Sequence, residues 1–332
     1  MQNAQLTGSL ATALFEQLVD SIEEAVDDNR QISHSEVARR TVSRLDSLSE
    51  QLGLPGAQWL LRPYVNSGGT PPDTRRSDNN SLSFTCILAS LGVEWQGSRA
   101  LCTRTLLVEP KDSVQRLYSA LVDMLQVCTA TLQHGVPLKD VHDRVRGYVA
   151  SRDPSLLTAL PTHFGELLGT TKKQISAEST DSAQTGELYA LVLSLQTTEY
   201  LELTDTVAVV AGPAVIITST KRKFNDVAYY LNDAEDLAPE PTKQTPALRR
   251  ASRKHQLAQS SSEQKRKLVQ KELRLKKLDE LRDRFQTVKP AQAEAASTRL
   301  LRPSLTPGKR AYPTQEPASA FPRVHHQERV EE

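Results

Sequence analysis

The side chains that most often carry chemistry are the seven histidines and three cysteines, because imidazole and thiolate supply most metal ligands, general bases and nucleophiles. Their spacing is unproductive. His34, His134, His142, His163, His255, His325 and His326 form no His-x-His or His-Glu-x-x-His pair, and Cys86, Cys102 and Cys128 form no Cys-x-x-Cys. There is no Gly-x-Ser-x-Gly elbow, no P-loop and no Gly-x-Gly-x-x-Gly turn. Gly165 and Gly169 have the spacing of a Gly-x-x-x-Gly motif, but their surroundings are too polar for a membrane helix pair. His163 beside Phe164 reads as a packing or hydrogen-bonding histidine, since no ligand or base pattern surrounds it.

Charge carries more information than motif. The chain balances 41 Lys and Arg against 40 Asp and Glu, which argues against a wholesale nucleic-acid binder. The balance hides an asymmetry: residues 1–220 hold 17 basic and 25 acidic side chains, and residues 221–332 hold 24 and 15. An acidic body with a basic tail is expected. Hydrophobic content of 38% and aromatic content of 5%, spread over 332 residues, leave room for one real core and a well-solvated remainder. Three cysteines without a disulfide-type spacing favour a reducing compartment. The first residues lack a basic, then apolar, leader pattern, and no apolar run is long enough to span a bilayer, so a soluble intracellular protein is expected with no membrane partner.

The elements that would position a site follow from periodicity. Leu10, Leu14, Leu18, Ile22 and Val26 recur at helical spacing over 10–30, with Glu23, Glu24, Asp27 and Asp28 on the outer side. A second helix is predicted from Ser35 to Leu52, stopped by Gly53 and Pro55. Residues 68–80 read as an exposed loop. Residues 84–88 and 101–108 read as an antiparallel strand pair, with its turn chemistry between Gly92 and Gly97. Leu117, Leu121, Met124, Leu125, Cys128 and Leu132 predict a helix over 113–134, capped by Ser113 and closed by Gly135. A shorter helix over 138–148 buries Val141 and Val145. Three apolar runs, 188–195, 207–210 and 214–218, read as further strands after a polar linker at 176–186. Helices and strands in this order, without regular alternation, predict an α+β fold with antiparallel sheet.

Beyond Leu231, Asp233, Glu235, Asp236 and Glu240 with Pro239, Pro241 and Pro246 form an acidic, proline-broken hinge. Ser260 and Glu263 can form a capping box ahead of a charged helix whose Leu268, Leu275, Leu278 and Phe285 recur at heptad-like intervals. The tail after Pro290 reads as disordered. The expected division is a helical segment 1–56, a folded domain 57–231, a hinge 232–259, a charged helix 260–286 and a tail 287–332.

Phe84–Pro110, followed by a helix ending in Leu132-Gln133-His134-Gly135-Val136, resembles the pita-bread fold (creatinase/aminopeptidase-like) of methionine aminopeptidases and prolidases. Gly92 and Arg104-Thr105 match its frame. Asn66-Ser67-Gly68-Gly69, Ser90-Leu91-Gly92-Val93, Thr103-Arg104-Thr105-Leu106, His134-Gly135-Val136, Asp205-Thr206-Val207, Gly212-Pro213-Ala214 and Lys221–Leu231 resemble, in order, the catalytically silent version in the large subunit of the FACT histone chaperone. Ser262–Arg266 and Gln270–Leu273 are similar to its basic helix following the domain. The resemblance implies a curved antiparallel sheet backed by helices and a non-catalytic domain, without the segments in which the partner-dimerisation and middle domains begin.

In the peptidases, two Asp, one His and two Glu hold two metal ions that activate water. The resemblance places Ser90, Leu101, Glu166, Ser194 and Thr204 at those positions, so it implies no catalytic residues, no metal and no cofactor. It implies instead core histones as partners during nucleosome reorganisation in transcription, replication and repair. An HMG-box-type partner subunit, nucleosomal DNA reached only indirectly, and a place in the nucleus on the chromosome follow in the same way. Candidate histone contacts are Asp233, Glu235, Asp236 and Glu240, with Glu23, Glu24, Asp27 and Asp28 as further acids; an acidic surface would draw basic histones in a salt-sensitive way. Two other readings are a metal-dependent aminopeptidase of the same fold and a scaffold protein acting through its charged helix.

Overall fold

A computed structural model describes residues 2–51, 60–69, 71, 75–230 and five positions between 276 and 283, all within the compact unit Met1–Lys289. The second unit, 290–332, lies outside the described residues, as do the acidic hinge and most of the charged helix.

Two helices, α1 (Gln2–Asp27) and α2 (His34–Gln51), precede the strands β1 (Leu60–Ser67), β2 (Cys86–Trp95) and β3 (Ser98–Val108). Helices α3 (Asp112–Thr131) and α4 (Leu138–Arg152) follow. The chain then returns to the sheet as β4 (His163–Leu167), β5 (Gln174–Ser176), β6 (Leu188–Gln196) and β7 (Tyr200–Ala208), with short pieces β8 (Val215–Ile216), α5 (Phe224–Val227) and β9 (Ala228–Tyr229). Strand order is β1-β2-β3-β7-β6-β4-β5, antiparallel throughout that path, with β8 on β7 and β9 parallel to β3. This is the expected α+β architecture.

Period-two alternation gives the sheet two unlike faces. Cys102 faces α1, its thiol 4.0 Å from the Ala11 carbonyl, and the residues on its side include Leu91, Leu193 and Leu203. Leu10, Leu14, Leu18 and Ile22 of α1 pack over β2 and β3, and Tyr118, Leu121, Leu125 and Cys128 of α3 cover β6 and β7. Removing these side chains from water is the main favourable term holding helices to sheet. α4 packs on α3 and exposes Asp140, Asp143 and Arg144 while burying Val141 and Val145, as expected.

Four local departures from the sequence reading have physical causes. The β2–β3 turn is only Gln96-Gly97, both at positive φ (47° and 75°), a geometry that matches strand twist; Gly92 and Val93 belong to the strand. Strand β1, which the sequence reading does not include, carries Pro63 and lies at the sheet edge, where a missing N–H is tolerated. The run 207–210 is the end of a longer strand, β7, whose polar Glu202, Thr204, Asp205 and Thr206 are all buried. Helix α3 starts at Asp112 with no side-chain cap, rather than at a Ser113 cap.

Candidate functional site

The positions to which the resemblance assigns metal ligands converge on the face of the sheet turned away from α1 and α3. Ser90 lies opposite Thr103, and Leu101, two residues along β3, shares that face. Thr103 lies opposite Thr204 of β7, and on β6 Ser194 lies opposite Glu202. Glu166, opposite Ala190, shares the face but is exposed. It lies one strand beyond β6 and four residues, about 13 Å at ordinary strand rise, from the level of Ser194.

Hydroxyls take up the hydrogen bonds on this face. Thr103 Oγ1 donates to Ser90 Oγ at 2.8 Å, and Thr204 Oγ1 donates to Glu202 Oε1 at 3.0 Å. Thr206 Oγ1 accepts from the Leu101 N–H at 2.7 Å and donates to the Leu101 carbonyl at 2.9 Å. These pairs satisfy one another, as buried polar groups must.

Among the described residues, the one carboxylate buried on this face is Glu202, which sequence reasoning missed. Arg75 donates to both its oxygens at 2.9 Å, and Tyr200 OH donates to Oε2 at 2.7 Å. Burial works against the charge on Arg75, but the Glu202 carboxylate outweighs it and the guanidinium's pKa is raised. Burial, followed by the Glu202 charge, pushes the Tyr200 phenol upward, and burial pushes Tyr64 to about 12. The available signal was the alternation Tyr200, Glu202, Thr204, Thr206, which puts four polar side chains on one face of a strand. Nothing in the sequence pointed to Arg75.

A two-ion centre needs converging anionic or imidazole ligands. The donor set does not fit one. Four of the five assigned positions hold Ser90, Leu101, Ser194 and Thr204, Glu166 stands apart, and Glu202 is engaged by Arg75. Among the described residues, no group of three His, Cys, Asp or Glu could hold a metal ion.

The helix-facing side of the sheet carries a second buried pair. Arg104 Nη2 donates to Asp205 Oδ1 at 2.8 Å, with both side chains at most 1% exposed. His163 is half-buried, its Nδ1 3.3 Å from Thr162 Oγ1, while Phe164 stacks on His142 with ring centroids 5.0 Å apart. All three cysteines are free and buried.

Of the expected histone contacts, Asp233, Glu235, Asp236 and Glu240 lie outside the described residues. Among the acids at the end of α1 and just past it, Glu23 accepts from Tyr229 OH at 2.7 Å, Asp28 pairs with Arg30 at 2.5 Å, and Glu24 sits 4.0 Å from Arg44. In the charged helix Lys276, Asp279, Glu280, Leu281 and Asp283 are helical, and Leu281 is buried in the core cluster. No helix among the described residues is long and apolar enough to cross a membrane.

Residues 3–209 match the model of metallopeptidase family M24, and the chain belongs to that family. Within it, the chain is similar to FACT complex subunit spt16 of Emericella nidulans, with 24% identity over 309 residues, covering 80% of this chain and 30% of that protein. The N-terminal domain of FACT complex subunit SPT16 from Eremothecium gossypii superposes with a TM-score of 0.62 at 20% identity, covering 69% of this chain and 60% of that one. An X-Pro aminopeptidase from Thermotoga maritima shares the fold at a TM-score of 0.55 and 12% identity, over 70% of this chain and 64% of that one. The pita-bread fold expected from the residues is thus the fold observed. The chain spans about 30% of the length of the curated relatives it matches.

Proposed function

We propose that this chain is a non-enzymatic histone-binding module of a FACT-type complex, working on core histones during nucleosome reorganisation. The observation that carries the reading is the composition of the sheet face. Where the peptidase chemistry requires metal-holding carboxylates and imidazole, Ser90, Ser194 and Thr204 offer hydroxyls, Leu101 offers a hydrocarbon, and an Arg75–Glu202 pair supplies its own charge balance. Without bound ions, no water is activated by this route. Sequence relatives named as FACT complex subunits support the choice of chaperone over peptidase.

The electrostatics support it further. Residues 1–220 carry 25 acidic against 17 basic side chains, a field that attracts basic proteins and speeds their encounter. Asp233, Glu235, Asp236 and Glu240 add an acidic segment later in the sequence and are the proposed histone contacts. In this reading an HMG-box-type subunit and nucleosomal DNA are engaged through the wider assembly, in the nucleus and on the chromosome.

The test is titration of labelled core histones with the whole chain, followed by fluorescence anisotropy at two salt concentrations. Binding that weakens severalfold with added salt is expected, and neutralising Asp233, Glu235, Asp236 and Glu240 together as Asn and Gln should weaken it at low salt. Metal analysis and an Xaa-Pro dipeptide assay run alongside. Absence of histone binding at low salt, or metal-dependent cleavage of the dipeptide, overturns the proposal.

A further inference from the structure

A second constellation lies where α2, β1 and the loop after it meet. His34 Nδ1 is 2.5 Å from Asp78 Oδ1, and His34 Nε2 is 2.7 Å from Ser67 Oγ. With the ring proton on Nδ1, His34 donates to Asp78 and accepts the Ser67 hydroxyl proton at Nε2. That is the geometry of a nucleophile, a base and a group that orients the base, recognised by distance and role rather than by sequence order. The three residues come from segments 33 and 44 positions apart, so no local motif announces them.

Each member is held for its role. His34 is only 3% exposed, which fixes its ring between its two partners. Asp78 is pinned from behind: Oδ1 accepts the Asn80 N–H at 3.0 Å and Oδ2 accepts Asn80 Nδ2 at 2.6 Å. The His34 hydrogen bond holds the Asp78 carboxyl below the usual carboxylate range. Ser67 Oγ accepts the Ser83 N–H at 2.8 Å, which leaves one lone pair for attack. Ser67 is half-buried at the end of β1, next to the exposed Gly68.

Backbone bonds join the same segments alongside these three side chains. His34 N–H donates to the Asn80 carbonyl at 3.1 Å, Ser35 N–H donates to the Asp78 carbonyl at 2.7 Å, and Ser33 bridges Ser81. The start of α2 is capped by Ser33 Oγ, which accepts the Glu36 N–H. A purely structural clamp would not require the serine–imidazole–carboxylate relay.

We propose that Ser67 is a nucleophile that becomes acylated by activated esters and thioesters, with His34 as its base and Asp78 as the positioning residue. Ser67 Oγ attacks the acyl carbonyl carbon, and the hydroxyl proton passes to His34 Nε2. The carbon–oxygen or carbon–sulfur bond to the leaving group then breaks, and His34 returns the proton to the departing alkoxide or thiolate. The product is an acyl-serine on the protein, a stoichiometric modification independent of the histone-binding reading.

The test uses the full chain and p-nitrophenyl acetate, read by intact mass, by peptide mapping and by nitrophenol release. One acetyl group on Ser67 is expected in the folded protein and none there after unfolding in urea. Asp78→Asn should slow the modification about tenfold or more, and Ser67→Ala should abolish it. Thermal melts check that both variants fold; His34→Gln stands in if Asp78→Asn does not. Absence of acetyl at Ser67 in the folded wild type, equal labelling after unfolding, or an undiminished rate in the folded positioning variant overturns the proposal.

Discussion

Arg104 is the most exacting point of the fold, and replacing it by methionine gives a sharp test of how the sheet is held. Its guanidinium makes five bonds in the dry interior. Nε donates to the Lys221 carbonyl at 2.9 Å, Nη1 to the Thr103 and Thr204 carbonyls at 2.7 Å each, and Nη2 to Asp205 and to Thr220 Oγ1. Arg104→Met keeps the volume roughly but leaves Asp205, itself fully buried, with Thr218 Oγ1 at 2.9 Å and Arg222 Nε at 3.6 Å. Removing one partner of a buried ion pair costs about 3–5 kcal/mol when the other charge is left alone, and Arg222 at 3.6 Å offsets part of that here, so about 3 kcal/mol is expected. With a domain of this size losing roughly 2–4 °C per kcal/mol, the melting midpoint should fall by about 10 °C. Urea unfolding followed by circular dichroism should show a lower midpoint at unchanged slope. Adding Asp205→Asn should recover at least about 1 kcal/mol, because the stranded charge is then gone. A loss below about 1 kcal/mol in the single variant, or strictly additive costs in the double, would refute the reasoning.

Gly165→Ala places a Cβ 2.5 Å from the Ala190 carbonyl oxygen on the neighbouring strand, so it should cost about 1–3 kcal/mol in urea unfolding; a neutral result would mean β4 can shift freely against β6. In α2 the bonds from Arg39 and then Arg40 hold the Glu36 carboxyl down from 4.5 to about 2. A depressed carboxylate stabilises above its unfolded-state value and loses that contribution as pH falls through its folded value. The melting difference between wild type and Glu36→Gln should therefore be full above pH 4.5 and gone near 2; a difference that persists below that window contradicts the assignment.

Much of the architecture was legible because apolar spacing leaves little choice. Leu117, Leu121 and Leu125 could face only one way, and the strand pair was legible although its turn is tighter than the expected Gly92–Gly97. The site was legible by omission, through residues too weak to hold ions at Ser90, Leu101, Ser194 and Thr204. What remained hidden depends on partners distant in sequence. Glu202 and Asp205 interrupt the apolar pattern that marks a buried strand, and the arginines that let them sit in dry protein, Arg75 and Arg104, lie 127 and 101 residues away. Local propensity cannot weigh such long-range compensation. The His34–Ser67–Asp78 contact was hidden for the same reason.

The hydroxyl-lined sheet face also bears on whether an ion-holding set could be built into it stepwise. A carboxylate restored at Thr204 alone would meet Glu202 two residues away on the same face, in a setting that excludes water and already contains its matching cation. One restored at Ser90 would gain only the Thr103 hydroxyl. Each such substitution alone is therefore disfavoured until several others accompany it, so an ion-holding set on this face could be assembled only in concert and not one residue at a time.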